Sequence, residues 1–327
     1  MNTTPRKRMI SCRIWRDFST EQKMPNTDIS NKELLRKLRN QADELGCIVA
    51  NRALPVCLKA IADRRRVTSV EFVPMPVRAM LTTHSKGFRV FLKIEDADQA
   101  TALKLCYENE DQRQLLPLKF RFPLAHELAH TLFYELGTAD DRPKEIREFK
   151  AGGGKTILEN LEKYCNRIAG HLLMPSPLFK NKILKLKSLQ PHDLLSFAEH
   201  VGASLESVVT RLDEEDGALI HHDLRGCIAA IRKSGKRLSV KAIARPRKLN
   251  VAREIRLIQA GEEWQIKTDS GGSILNGEAE GTVKLHLTLE TNLSSQKVEH
   301  ALNFVRYNSF EHGESYVFHL VAIGPLS

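Results

Sequence analysis

Pro117-Leu118-Lys119-Phe120-Arg121-Phe122-Pro123-Leu124-Ala125-His126-Glu127-Leu128-Ala129-His130-Thr131-Leu132-Phe133-Tyr134-Glu135-Leu136-Gly137 is the stretch on which the reading of this chain turns. Proline suits the first turn of a helix, and glycine the position just past its end. The segment is therefore expected to be one helix from Pro117 through Leu136, with Gly137 closing it. Phe122, Ala125, Leu128, Ala129, Leu132 and Phe133 give it an apolar face. Inside it lies the pattern His-Glu-x-x-His, at His126-Glu127-Leu128-Ala129-His130. Helix positions four apart sit one turn apart on one face, so both imidazoles can reach a single ion. Glu127, one residue round, can approach a water on that ion without binding the metal itself. With 12 histidines and 40 acidic residues among 327, chance would produce the pattern at most about 0.05 times. The competing reading is a buried helix whose two histidines only hydrogen-bond, and the intervening glutamate weighs against it.

A catalytic zinc commonly takes three protein ligands and keeps a fourth position for water. The third ligand must come from another element. Residues 156–174 have helical periodicity, are stopped by Pro175 and Pro177, and offer both Glu159 and Glu162. Spacing does not choose between them. Glu127 is expected to accept a proton from the zinc-activated water as it attacks a peptide carbonyl. Tyr134, one turn beyond His130 on the expected helix, is the candidate second donor to the oxyanion. An ordinary core or surface tyrosine is the equal alternative. His171 lies about half a turn from Glu162 and is expected to face away.

Two blocks carry a family resemblance. Lys119 to His130 resembles the zinc helix of the ImmA/IrrE family of metallopeptidases, where an aromatic residue and Ala-His-Glu-x-Gly-His are typical. Glu162-Lys163-Tyr164-Cys165-Asn166-Arg167-Ile168-Ala169-Gly170-His171-Leu172-Leu173-Met174-Pro175 resembles that family's second block, Glu-x-x-Ala-Asn-x-x-Ala-x-x-Leu-Leu-Met-Pro. Ala129 stands where glycine is usual and Cys165 where alanine is usual; both residues are small. The resemblance follows the order of elements over residues 30–213. It implies an α+β, zincin-like helical peptidase domain with a small sheet. It implies Zn2+ held by His126, His130 and Glu162, with Asn166 one turn beyond the last ligand. It also implies a regulatory protein as substrate, such as a helix-turn-helix repressor or an antitoxin, in a stress-response, mobile-element or phage-defence setting.

Outward from the two blocks, Ser30-Asn31-Lys32-Glu33 reads as a capping box. It leads a helix whose Leu34, Leu35, Leu38, Ala42 and Leu45 share a face and which Gly46 is expected to end. A second helix is expected from Pro55 to Arg65. Strands are expected over Val67 to Pro74, Ala79 to Thr83 and Gly87 to Ile94, and a polar excursion over Ala97 to Gln114. Residues 138–155 read as a loop. Its Gly152-Gly153-Gly154-Lys155-Thr156 hints at a phosphate loop, but Phe149 stands where that motif needs glycine, so a lid over the site is the expectation.

Two short helices near 191–200 and 204–213, with Gly202 at the turn, resemble a helix-turn-helix. The second carries Glu206, Asp213, Glu214, Glu215 and Asp216 against Arg211. That charge opposes phosphate, so a structural or protein-docking role is expected. Beyond Gly217 the period becomes that of strands: Val283, Leu285, Leu287 and Leu289 alternate with polar residues, and a hairpin is expected around Lys233-Ser234-Gly235-Lys236-Arg237. The expected layout is a basic tail at 1–29, a metallopeptidase domain at 30–188, a helix-turn-helix-like segment at 189–216 and a β-rich regulatory or recognition domain at 217–327.

No window approaches the roughly 18 apolar residues of a membrane span, and no secretory leader can be drawn at the start. The six cysteines form no Cys-x-x-Cys pair. A cytoplasmic protein without a membrane partner is expected. The net charge of +10 permits an anionic partner, with nucleic acid along the basic stretch from Arg232 to Lys248 the less favoured one. His221-His222-Asp223 reads as a linker. The alternative function is a regulator that binds DNA or protein around a structural zinc, although such a site has no use for Glu127.

Overall fold

The computed structural model describes residues 31–51, 54–110, 115–138, 141–145, 155–214, 219, 222, 226–234, 237–244, 263–264, 280–291, 294–309 and 313–322. The tail at 1–29, Ser30 of the capping box, the glycine run Gly152 to Gly154, the turn at Gly235 and Lys236, and the boundary at Gly217 lie outside them, as do the basic side chains between Arg232 and Lys248. The fold is α+β and zincin-like.

The chain opens with α1 (Asn31–Ala50) and α2 (Leu58–Arg64). Leu34, Leu35, Leu38 and Ala42 are buried, as their spacing requires. A three-stranded sheet follows: β1 (Val67–Pro74), β2 (Ala79–His84) and β3 (Gly87–Ile94), in the order β1-β3-β2. β1 runs parallel to β3 and β2 antiparallel to it. Phe88, Val90, Leu92 and Ile94 of the central strand are buried, and β2 forms an edge. The polar excursion holds a further helix, α3 (Gln99–Glu108), with Leu103 and Tyr107 buried.

α4 (Leu118–Thr131) lies against β2 and β3 on one side and α5 (Lys155–Leu173) on another. It stops five residues short of the expected end at Leu136. The cause is Arg65, whose buried guanidinium donates to the carbonyls of Thr131 and Tyr134 and to Thr131 Oγ1. Those donors satisfy carbonyls at the end of the helix, where its own amides cannot reach them. The chain turns instead into β4 (Tyr134–Glu135), paired antiparallel with β5 (Lys144–Glu145). Gly46 likewise does not end α1. A Cβ there would come 2.5 Å from Pro175 Cγ and 3.3 Å from the Leu172 carbonyl. The glycine allows α1 to lie close against the end of α5.

α6 (Ser176–Ile183) was not expected, because Pro175 and Pro177 were read as a stop. Pro177 sits in its first turn, where a missing amide removes no helical hydrogen bond. α7 (Pro191–Val201) and α8 (Leu205–Glu214) fall where expected. Gly202, at φ +64°, closes α7, and the amide of Ala203 reaches back 3.1 Å to the Ala198 carbonyl. Among the ten residues of α8, only Thr210 is exposed.

Two buried arginines fix this pair to the core. Arg121 of α4 donates from Nε to the Gly202 carbonyl at 2.8 Å and from Nη2 to the Val56 carbonyl at 2.7 Å, and pairs with buried Glu110. Arg211 of α8 donates to the Met174 carbonyl and Ser176 Oγ and pairs with Glu214. Glu214 also faces Nε2 of His171, whose Nδ1 is 2.8 Å from Asp43 of α1.

The remaining strands are β6 (Gly226–Ser234), β7 (Arg237–Ala244), β8 (Glu263–Trp264), β9 (Glu280–Thr291), β10 (Ser294–Ser309) and β11 (Gly313–Ala322). They form one antiparallel sheet in the order β8-β7-β6-β11-β10-β9. β6 and β7 pack on α8, and Ile228, Ala230, Ala242 and Ala244 belong to the same buried cluster as Val208 and Leu212.

Glu214 generates a pH prediction. Burial raises its pKa, but the hydrogen bond to His171 and the Arg211 charge outweigh that and hold it at about 2, below its ordinary 4.5. A depressed carboxylate stabilises the fold above its unfolded pKa and loses that contribution as pH falls from about 4.5 toward about 2. Glu214→Gln should cost on the order of 3 kcal/mol at pH 7. The gap from wild type should narrow in denaturant titrations at pH 4 and pH 3. A gap that stays constant over that range would show that the charge is not what stabilises the fold.

Candidate metal centre

α4 and α5 run side by side, and the face between them gathers three donors. His126 Nε2 stands 3.1 Å from His130 Nε2 and 3.1 Å from Glu162 Oε2. His130 Nε2 is 3.6 Å from Glu162 Oε1. A tetrahedral ion with bonds of about 2.0–2.1 Å places its donors about 3.3 Å apart. The spacing of these atoms therefore fits one small divalent ion. Together they form a group able to hold a metal.

The hydrogen bonds behind the donors fit as well. His126 Nδ1 is 2.9 Å from Asn166 Oδ1, and His130 Nδ1 is 3.4 Å from Cys165 Sγ. Each histidine has its outer nitrogen engaged by α5, which leaves both Nε2 lone pairs facing inward. Three acceptors face one another, and only a cation or a shared proton can reconcile them. The titration of the pair reflects this. Burial works against a charged His126, but Glu162, Glu127 and Asn166 outweigh it and raise its pKa. Burial and the neighbouring charge of His126 push His130 down to about 4.

Glu127 is buried beside the group but is not one of its donors. Burial lifts its carboxyl to about 7; His126 and the backbone amide of Leu81 on β2 pull the other way. Glu162, by contrast, has a side chain 56% exposed, so the centre opens to solvent on its side.

Of the two candidates on α5, the structure brings Glu162 to the histidines; the side chain of Glu159 is outside what is described. Tyr134 does not share a helix with His130. Its place in the site rested on sharing a helical face with His130, and it sits on β4 instead. Its ring packs edge-on against Phe88 with centroids 5.3 Å apart. His171 faces away, as expected, into the pair with Asp43 and Glu214. His222 makes a hydrogen bond to the Ile183 carbonyl at 2.9 Å. The sequence reading missed Cys165 and Leu81 as neighbours of the site. Cys165 could have been found as the departure from the family block three residues after Glu162. Nothing in the sequence marks Leu81.

Residues 112–213 match the Peptidase_M78 family model, described as an IrrE N-terminal-like domain. The match covers less than half of the chain but contains α4, α5 and all three donors. No curated protein matches the chain. Among solved structures, a Mycobacterium tuberculosis transcriptional regulator aligns with 88% of this chain and 76% of its own, at 14% identity and a TM-score of 0.45. Among the described residues, no helix is long and apolar enough to cross a membrane.

The purified protein should hold one divalent ion per chain by elemental analysis. His126→Ala or His130→Ala should abolish binding, and Glu162→Ala should weaken it far more than Glu159→Ala. Ion at about a thousandfold excess over its Kd should add about 4 kcal/mol of stability, lost on chelation. Full occupancy in either histidine variant would remove the assignment.

Proposed function

We propose that the chain is a zinc-dependent endopeptidase that cleaves a regulatory protein in the cytoplasm. The observation that carries this is Glu127, buried beside a set of two imidazoles and one carboxylate but not part of it. Two nitrogens and one oxygen suit zinc, and a catalytic zinc takes three protein donors of these kinds. When bound, zinc supplies Lewis acidity, which acidifies a water and polarises a peptide carbonyl. Glu127 then takes the proton from the attacking water and passes it to the leaving amine. A cation beside a carboxyl favours its ionised form, which is the form that accepts a proton.

The substrate segment is extended and lies along β2. The Leu81 amide points to Glu127 and so away from β3. By the alternation of an antiparallel ladder, Ala79, Leu81 and Thr83 turn their amides and carbonyls to the same edge. A peptide paired there would bring its own carbonyl toward the donors. A helix-turn-helix repressor or an antitoxin is the proposed kind of substrate. Residues 217–327 are proposed to choose the substrate or to sense the signal.

Glu127→Gln should keep its zinc and lose cleavage by about 10²-fold or more. The measurement pairs elemental analysis with proteolysis of candidate partners followed by mass spectrometry. A variant that cleaves as fast as wild type would rule out the general-base assignment. The alternative is a regulator built on a structural zinc; it would bind its partner equally well with either residue.

A further inference from the structure

We propose that Cys165 is a positioning residue of the metal centre, its Sγ accepting the Nδ1 proton of His130 and so turning Nε2 of that ring toward His126 and Glu162. The inference rests on the metal reading above and adds a residue to it.

The geometry is specific. Cys165 is fully buried, and its sulfur lies 3.4 Å from His130 Nδ1. Contact on that side excludes the thiol from ligating, because the ion would sit at Nε2, on the opposite edge of the ring. Asn166, the next residue, accepts from His126 in the same way at 2.9 Å. Glu162, Cys165 and Asn166 are three and four residues apart, which places them on one helical face. A single turn of α5 thus supplies one ligand and an outer partner for each of the other two.

The two partners are unequal. An amide oxygen is a good acceptor, and a thiol sulfur a weak one. His130 is therefore the less firmly oriented of the two rings. Removing its acceptor leaves a buried N–H without a partner, which costs more than the bond itself contributed. The loss should appear in metal affinity more than in folding, because the ring can swing when nothing holds Nδ1.

The test uses the full chain and three substitutions. Cys165→Ala removes the acceptor and leaves space. Cys165→Val removes the acceptor and fills its space with an apolar group. Cys165→Ser keeps an acceptor. Zinc affinity is read by competition with a chromophoric chelator. The tautomer of His130 is read in the metal-free protein by long-range proton–nitrogen NMR. Alanine and valine should each weaken zinc by about tenfold, and serine should stay within about threefold of wild type. Wild-type affinity in the valine variant overturns the proposal, as does an equal loss in valine and serine. If the wild-type protein itself takes no zinc, the metal reading has failed and the tautomer decides. A His130 proton on Nδ1 that is lost in the valine variant upholds the contact; an unchanged tautomer removes it.

Discussion

Three lone pairs pointed at one another, on His126 Nε2, His130 Nε2 and a Glu162 oxygen, are the constraint around which this domain is built. At 3.1 to 3.6 Å apart they can be reconciled only by a shared proton or a cation. The arrangement is unfavourable unless a positive charge occupies its centre, and it persists only if the two helices that carry it are held from outside. α4 is held at its end by Arg65, through the carbonyls of Thr131 and Tyr134, and nearer its start by Arg121. α5 is held by the close approach of α1 at Gly46 and by Arg211 at the carbonyl of Met174. These supports are hydrogen bonds to main-chain carbonyls and direct backbone contact, which fix helix positions more firmly than contacts between flexible side chains would.

Whatever depends on neighbours in sequence could be read before the structure was known. His126, Glu127 and His130 form a five-residue pattern on one helix. β1 and β3 matched their expected bounds because Val67 to Pro74 and Gly87 to Ile94 alternate and are bounded by turn residues. The choice of Glu162 over Glu159 needed the family block, since helical period permits either. What could not be read depends on residues far apart in the chain. The end of α4 is decided by Arg65, 66 positions before Thr131. Gly46 looks like a stop when read locally, and only Pro175, on another element, shows that it is a contact. Tyr134 was assigned to the site by extending a helix that a distant arginine had already ended.

The pair α7–α8 shows the same limit from the other side. Its outline, its turn glycine and its acidic second helix were all legible. What was not legible is how it is covered. Arg121 and Arg211 stand in the sequence as two among 50 basic residues, and nothing nearby marks them as buried. In place, each bonds a carbonyl across a helix boundary, so that the turn of the pair abuts α4 and its second helix abuts the end of α5.

That position bears on what residues 217–327 can do. β6 and β7 rest on α8, and α8 carries Arg211, which with His171 and Glu214 reaches the last turn of α5. Glu162 lies on the same helix, about two and a half turns earlier. A cut near Asp216 would strip the sheet from α8 and uncover buried apolar residues, so the loss of activity in such a fragment would not by itself show regulation. A displacement of the sheet, however, has one continuous packed route to the helix that carries the exposed ligand. Close-packed interiors transmit strain because they have few voids in which to absorb it. If the β-rich part controls the peptidase, the physical means at hand is the tilt of α5 against α4. The centre would respond steeply, since donors about 3.3 Å apart leave little room before one of them is lost.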